Sequence, residues 1–282
     1  EIGSGLVGSE MCIRDSNNIL SKLFAAIEAT KSNIAPYKRK LPVTRPLYLH
    51  QEKAIDVITT KKLNAVITTG TGSGKTECFL MPIINELLRE KERGTLSKLG
   101  VRAILIYPMN ALANDQMKRL RELLMFFPDI TFGVYNGDTK KEEAEARAQY
   151  IDLHSRETCE ELRTPLNNEY ISRDKMNETP PHILCTNYAM LEHMMLRPDN
   201  DRIFTNSNFK FVVLDEAHIY TGATGMETAL LLRRLKARIG GESRPQFILT
   251  SATLGKKGES ERSIINLSLI HISEPTRPEP IS

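Results

Sequence analysis

The stretch TTGTGSGKTE, at positions 68–77, holds the residues whose types and spacing are best suited to chemistry. Glycines at three alternate positions allow a tight turn whose backbone N–H groups can approach an anion. A lysine directly after such a turn can reach the β- and γ-phosphates of a nucleotide, and the next hydroxyl can bind Mg²⁺. The stretch therefore predicts a phosphate cradle for Mg²⁺-ATP, with Thr69 standing where the strict pattern has glycine. Its predicted members are Thr69, Gly70, Thr71, Gly72, Ser73, Gly74, Lys75 and Thr76.

Two adjacent carboxylates, Asp215 and Glu216, follow a hydrophobic run in FVVLDEAH, at positions 211–218. We expect Asp215 to hold Mg²⁺ in its outer sphere, while Thr76 binds the ion directly. We expect Glu216 to orient and deprotonate the water that attacks the γ-phosphate. Taken alone, DEAH could equally begin a solvated helix. After a buried strand, and downstream of a phosphate cradle, it predicts the carboxylates that act with Lys75 in catalysis.

A third polar group, the SAT of ILTSATLG at positions 248–255, also follows an apolar run. Its hydroxyl residues Ser251 and Thr253, together with His218 of DEAH, are predicted to couple the nucleotide site to whatever lies across the cleft. SAT by itself carries almost no information. The order GKT, DEAH, SAT on three apolar runs is the specific signal.

The elements that must position these groups are short apolar runs separated by helical patterns. The runs are NAVIT (64–68), RAILIYP (102–108), ITFGVY (130–135), HILCT (182–186), FKFVVLD (209–215) and QFILT (246–250). Continuous apolar strands that alternate with helices are typical of a parallel sheet covered on both faces. We therefore predict an α/β domain with a mostly parallel sheet. One charged segment, about 140–181, interrupts the pattern and is predicted to be a solvated surface insertion. The alternative is that it contacts nucleic acid or a partner.

With the strands in place, GKT, DEAH and SAT resemble the motifs of superfamily 2 DExH-box helicases and translocases. The resemblance covers most of 45–255 and implies a RecA-like P-loop domain that uses ATP and Mg²⁺. Gln51 of LYLHQEKAI resembles the adenine-reading glutamine of the Q motif, although a polar residue that caps a helix would look the same. YPMNALANDQ, NGDT and TNYAML resemble motifs that contact a nucleic-acid backbone, with ordinary loop capping as the alternative. The residues these motifs contribute are Asn110, Gln116, Thr139, Thr186 and Asn187.

The subgroup within superfamily 2 is indicated by the stretch DEAHIYTGATGMETALLLRRL, at positions 215–235. Its tyrosine and glycine pattern before an apolar helix resembles the YprA-like group of large bacterial helicases. That group is associated with DNA, 3′ to 5′ movement and a C-terminal cysteine cluster, which the four cysteines of this chain do not match. A related helicase of a phage-defence or DNA-repair system fits the pattern equally well.

The two ends of the chain are related through opposite strands of DNA. Residues 1–16 can be encoded by a DNA whose reverse complement translates as LSLIHISEPTRPEPIS, which is residues 267–282, and the shared DNA resembles a sequencing adaptor. We therefore expect both ends to be adaptor-derived. The expected organisation is then a lead-in at 17–44 and the RecA-like domain at 45–266, with its insertion at about 140–181.

These observations predict the first RecA-like motor domain of an ATP-dependent DNA helicase or translocase. Its partners would be nucleic acid, with DNA expected rather than RNA, and a second RecA-like domain of the same full-length chain. An ATP-driven remodelling switch without strand separation, an RNA helicase and a non-catalytic binding module stay open. Without the two adaptor-like ends, 38 − 2 = 36 basic and 35 − 5 = 30 acidic residues leave a formal charge of +6, which permits a polyanionic partner. No membrane span is predicted, and isolated cysteines indicate a cytoplasmic protein.

Overall fold

The computed structural model describes residues 47–70, 72–155, 163–205, 208–239 and 244–252. Within them, seven strands form one sheet in the order β1-β7-β6-β2-β5-β3-β4, and every pairing is parallel. The strands are β1 (Ala65–Thr68), β2 (Ala103–Tyr107), β3 (Phe132–Tyr135), β4 (Glu169–Tyr170), β5 (Ile183–Asn187), β6 (Phe211–Leu214) and β7 (Gln246–Ser251). Each of the six apolar runs contains a strand, so the predicted parallel α/β fold is confirmed.

Helices cover both faces of the sheet. They are α1 (Leu49–Thr59), α2 (Lys75–Glu92), α3 (Asn110–Leu124), α4 (Glu143–His154), α5 (Arg173–Glu178), α6 (Tyr188–Leu196), α7 (Asp201–Thr205) and α8 (Gly222–Ile239), with short 3₁₀ turns at Pro198–Asn200 and Ala217–Ile219. Because successive strand residues point to opposite faces, the strands contribute side chains to two apolar layers, one on each face of the sheet. One layer packs against α1 to α3 and includes Ile58, Phe79, Leu105, Leu120 and Val213. The other packs against α6 to α8 and includes Ile104, Leu184, Leu191, Val212 and Leu235.

The charged insertion is docked on the domain rather than separate from it. Its strand β4, which the sequence patterns do not predict, pairs with β3 at the sheet edge. The Asn168 side-chain amide donates to the carbonyls of Leu124, Phe127 and Ile130 at distances of 3.0, 3.0 and 2.9 Å. These bonds seal the C-terminal end of α3, where helix carbonyls lack partners of their own. Most of α4 nevertheless faces solvent, with Ala146 and Tyr150 buried.

A network of buried charges lies at the opposite end of the sheet from the phosphate cradle. Arg102, which precedes β2 and is 1% exposed, donates from Nε to Oε2 of Glu90 at 3.0 Å. Lys210, which precedes β6, lies 2.7 Å from Oε1 of both Glu90 and Glu86. Two carboxylates near the end of α2 therefore neutralise two cations from separate strands, which ties the helix to the sheet.

Several predicted features lie outside the described residues. These are the adaptor-derived ends, the lead-in 17–44, Thr71 and residues 253–266, which include Thr253. In the described part of the chain, the helices are too short or too polar to cross a membrane.

Candidate active site

The loop between β1 and α2 has the backbone of a phosphate cradle. Gly72 and Gly74 have φ values of 76° and 80°, in the left-handed region that favours glycine. A Cβ atom on Gly74 would lie 2.4 Å from Nε2 of Gln51, whereas Gly70 and Gly72 face open space. A side chain on Gly74 would therefore strain the positive-φ backbone and displace the Gln51 amide. The open space at Gly70 and Gly72 suits the approach of a phosphate group.

Lys75 is folded back onto the loop. Its Nζ donates to the carbonyls of Thr69 at 3.1 Å and Gly70 at 3.4 Å, and its side chain is buried. The hydroxyls of Thr69 and Ser73 are 2.7 Å apart and bridge the loop. This bridge gives Thr69 a role that glycine could not fill. The ammonium of Lys75 therefore lies where the loop carbonyls converge.

Asp215 and Glu216 stand directly beyond β6, at the same edge as the loop. Thr250 donates its hydroxyl to Oδ1 of Asp215. Burial raises the pKa of Asp215, and the charge of Glu216 adds to this effect, against the Thr250 hydrogen bond and the Lys75 charge. The carboxylate charge of Asp215 is therefore poorly compensated.

Glu216 is held in a strained conformation beside Lys75. Its φ of 50° is unusual for a residue other than glycine. Oε1 lies 3.9 Å from Nζ of Lys75. Oε2 accepts a hydrogen bond from the backbone N–H of Ala252 at 3.1 Å and lies 3.2 Å from Nδ1 of His218. The carboxylate is thus oriented from two sides and only partly exposed, which suits a general base.

The residues present fit a magnesium ion. Thr76 is buried in the first turn of α2, and the buried Asp215 carboxylate is one whose charge a divalent cation would balance. In the described part of the chain no three His, Cys, Asp or Glu side chains cluster as a metal cage. Magnesium needs none, since it is held by one or two protein oxygens together with substrate phosphates and water.

Gln51 serves as a structural bridge in this state. Its Oε1 accepts from the backbone N–H of Tyr48 at 3.1 Å, and its Nε2 donates to the carbonyl of Gly74 at 3.0 Å. The neighbouring His50 ring contacts the carbonyl of Ser73 at 3.0 Å. The helix-capping alternative is therefore realised, and the same side chain fastens α1 to the cradle. A contact with adenine stays a prediction.

Of the predicted coupling residues, His218 lies beside Glu216 and Ser251 contacts the cradle, while Thr250 was not predicted from the sequence. The Ser251 carbonyl accepts from the backbone N–H of Thr69 at 3.3 Å, which joins β7 to the cradle. Thr250, the residue before SAT, contacts both acidic residues, since its Oγ1 also accepts from the backbone N–H of Glu216 at 3.3 Å. Its place at the end of the apolar run QFILT, directly before SAT, is the sequence signal that could have identified it.

Two of the predicted nucleic-acid residues meet at the carboxyl ends of β2 and β5. Asn187 donates from Nδ2 to Oδ1 of Asn110 at 2.7 Å, and Asn110 donates from Nδ2 to Oδ2 of Asp138 at 2.9 Å. Oδ1 of Asn187 also accepts from the backbone N–H of Met190 and so caps α6. Residues from three separate motifs thus form one polar edge.

The other three predicted nucleic-acid residues are Thr186, Thr139 and Gln116, and each has polar side-chain atoms buried in the domain. Thr186 is fully buried and donates to the carbonyl of Tyr135 at 2.7 Å, and Thr139 donates to the carbonyl of Val134 at 2.9 Å. Gln116 lies on α3, and its buried Oε1 has no hydrogen-bond partner among the described residues. In this state Thr139 caps its own loop and Thr186 bonds the neighbouring strand, and nucleic-acid contacts of all three residues stay predictions.

Arg173 belongs to the same edge although it comes from the insertion. Its Nη2 donates to the carbonyls of Asn136 at 2.9 Å and Gly137 at 3.1 Å. Its guanidinium also lies over the Tyr135 ring, 5.4 Å from the ring centroid. The insertion therefore braces the NGDT loop, which no local sequence signal indicated.

Several known proteins resemble this chain in sequence or in structure. Residues 48–162 and 154–260 match the DEAD/DEAH box helicase family. Druantia protein DruE of Escherichia coli (strain UMEA 4076-1) is 34% identical, over 76% of this chain and 16% of DruE. The uncharacterized ATP-dependent helicase YprA of Bacillus subtilis (strain 168) is 30% identical, over 76% of this chain and 24% of YprA. The DUF1998 helicase MrfA, solved with DNA and AMPPNP, superposes with a TM-score of 0.60 at 25% identity, over 91% of this chain and 28% of MrfA.

These likenesses confirm the helicase resemblance, including its YprA-like character, and the RecA-like fold. The chain spans about a quarter or less of the two curated relatives.

Proposed function

The chain belongs to the DEAD/DEAH box helicase family, and from this we propose that it is the first of two RecA-like motor domains of an ATP-dependent DNA helicase or translocase. The observation that carries the proposal is the convergence of Lys75, Asp215 and Glu216 at one sheet edge, with Lys75 Nζ 3.9 Å from Glu216 Oε1. A second RecA-like domain would supply an arginine finger and close the site. The short span of the chain relative to its helicase relatives supports that arrangement.

Each catalytic group has a defined task in this proposal. The cradle N–H groups and Lys75 bind the nucleotide phosphates. Thr76 and Asp215 would hold Mg²⁺, which neutralises phosphate charge when it is bound. Glu216 accepts the proton of the attacking water, and the Ala252 N–H keeps its carboxylate in place. In this proposal the second domain excludes water from the site and helps to stabilise the transition state.

DNA is the proposed nucleic acid. MrfA, which is 27% identical to this chain in its complex with DNA alone, supports that choice. The RNA-bound helicase Mss116 is 20% identical and shares the fold. The polar edge of Asn110 and Asn187 offers amide groups of the kind that bind a phosphate backbone without reading its sequence.

We also propose that the protein works in the cytoplasm. The two cysteines in the described residues, Cys78 and Cys185, are buried and unpaired. Burial raises the pKa of Cys78 to about 12 and that of Cys185 further. These two thiols form no disulfide, and such unpaired cysteines are usual in compartments that keep thiols reduced.

Nucleotide binding is tested on the 282-residue chain by measuring its affinity for a fluorescent, non-hydrolysable ATP analogue in the presence of Mg²⁺. Lys75→Ala should weaken the affinity about 10-fold or more, because it removes a charged hydrogen-bond donor to phosphate. Glu216→Gln should leave the affinity near that of the wild type, since this side chain acts on water. Equal binding by wild type and Lys75→Ala would contradict the assigned cradle.

The motor half needs the full-length protein. Glu216→Gln should lower ATP hydrolysis by roughly 10² to 10⁴, the usual worth of a general base. Single-stranded DNA should stimulate the wild-type rate more than RNA of the same sequence does. ATP-dependent separation of a DNA duplex supports a helicase. DNA-stimulated hydrolysis without strand separation would instead support translocation or remodelling.

A further inference from the structure

Asp215 stands in a row of side chains that crosses the sheet at the carboxyl ends of the strands. Leu214 pairs with Ile106, and the backbone N–H of Asp215 donates to the carbonyl of Ile106 at 2.9 Å. The ladder therefore continues by one residue and brings Asp215 level with Tyr107 of β2. Residues level with each other on neighbouring strands point to the same face. The Thr250 hydroxyl, on the other side of Asp215, confirms that face through its hydrogen bond to the carboxylate.

The Tyr107 side chain has a buried hydroxyl without a partner. Tyr107 is 1% exposed, and its hydroxyl makes no hydrogen bond to any residue that the structure describes. Burial raises its pKa well above the ordinary value, and the charge of Asp215 contributes in the same direction. The phenol is therefore a neutral donor at neutral pH. A buried donor that stays unpaired is costly, so a phenylalanine would be the better residue if packing were the only role.

Of the two neighbours in the row, the carboxylate of Asp215 is the stronger acceptor for this donor, because it is charged. On the β5 side, Tyr107 pairs with Asn187, whose amide is already engaged at both ends by Asn110 and Met190. On the β6 side, the carboxylate of Asp215 has one oxygen bound by Thr250. A carboxylate has about four acceptor positions, so it retains capacity for a second donor.

We propose that Tyr107 is a positioning residue for Asp215, and that its hydroxyl donates to this carboxylate when Mg²⁺ and nucleotide occupy the site. The inference rests on the proposed function, in which Asp215 holds Mg²⁺. Thr250 and the backbone N–H of Glu216 hold the carboxylate from the β7 side and from its own loop, and a donor from Tyr107 would hold it from the β2 side as well. A neutral hydroxyl does this without opposing the charge that attracts the cation.

The test is Tyr107→Phe in the 282-residue chain, with two measurements. The first is the affinity for a fluorescent, non-hydrolysable ATP analogue in EDTA and across a series of Mg²⁺ concentrations. The affinity in EDTA should not change, while the gain on adding Mg²⁺ should shrink about 10-fold, as expected for one hydrogen bond to a charged group. The second is the melting temperature without nucleotide, which should stay equal or rise because an unpaired buried hydroxyl is removed.

Tyr135→Phe is the matched control. Tyr135 is buried in β3 of the same sheet, but its hydroxyl donates to Oδ1 of Asn200 at 3.0 Å. This variant should melt at a lower temperature and keep the full gain from Mg²⁺. An unchanged Mg²⁺ gain in Tyr107→Phe, or an equal loss in both variants, would overturn the inference. If the wild type binds no nucleotide, the proposed function fails first and takes this inference with it.

Discussion

Replacing Glu90 with glutamine should strongly destabilise the domain. Glu90 is 3% exposed, and its two oxygens bind Arg102 at 3.0 Å and Lys210 at 2.7 Å. The glutamine keeps the shape and one acceptor oxygen but removes the charge, so the buried Arg102 guanidinium is left without a carboxylate and with neutral acceptors such as the carbonyls of Gly100 and Thr95. Breaking a buried ion pair on one side costs about 3–5 kcal/mol. Lys210 still has Glu86, so the loss should not exceed this range.

The assay is urea unfolding followed by circular dichroism, supported by thermal melting. A loss of 3–5 kcal/mol corresponds to a melting temperature lower by roughly 6–20 °C for a domain of this size. Nucleotide affinity measured well below the melting temperature should be unchanged, because Glu90 lies roughly 22 Å along α2 from Lys75. The effect is therefore expected on stability alone.

Glu192→Gln is the control for this prediction. Glu192 also pairs with an arginine, at 3.1 Å from Arg234, but both side chains are about half exposed. An exposed pair contributes about 0–1 kcal/mol. If Glu90→Gln costs no more than Glu192→Gln, the buried charges do not anchor α2 to the sheet, and the reasoning from burial is wrong.

Three further predictions concern the site and the chain as a whole. Asp215→Asn should raise the free energy of unfolding at pH 7 by about 0.5–2 kcal/mol. Burial raises the pKa of Asp215, so the folded state favours its neutral carboxyl, and the stability that this gives is present below pH 3.8 and lost as pH rises through the folded-state pKa. The stability advantage of the asparagine variant should therefore vanish in acid. A difference in unfolding free energy that does not change with pH would refute this. The chain alone should hydrolyse ATP barely at all, with no stimulation by single-stranded DNA, since a missing arginine finger costs about 10³ to 10⁵ in rate; robust DNA-stimulated turnover in a steady-state assay would contradict the two-domain account. Deleting residues 1–16 and 267–282 should leave melting temperature and nucleotide affinity unchanged, and a large loss of stability would argue against their adaptor origin.

Local sequence predicted six of the seven strands in the described residues, the glycine-rich loop and the proposed catalytic groups. Apolar runs bounded by polar residues identify buried strands because a strand covered on both faces tolerates no polar side chain in its middle. Gly74 followed by Lys75 identifies the cradle because the positive φ and the reach of the ammonium are properties of a few consecutive residues. Asp215 and Glu216 were identified by their position after such a run.

Only the tertiary structure decided which groups contact one another. Thr250 reaches Asp215, and Arg173 of the insertion reaches the NGDT loop, across separations of 35 and 36 residues. Thr186, which resembles a nucleic-acid contact in sequence, is instead turned inward onto a carbonyl of the neighbouring strand. Tyr107 comes to stand level with Asp215 because β2 pairs with β6. Strand order and register set these contacts, and both depend on packing between distant segments, which no local spacing of residues records.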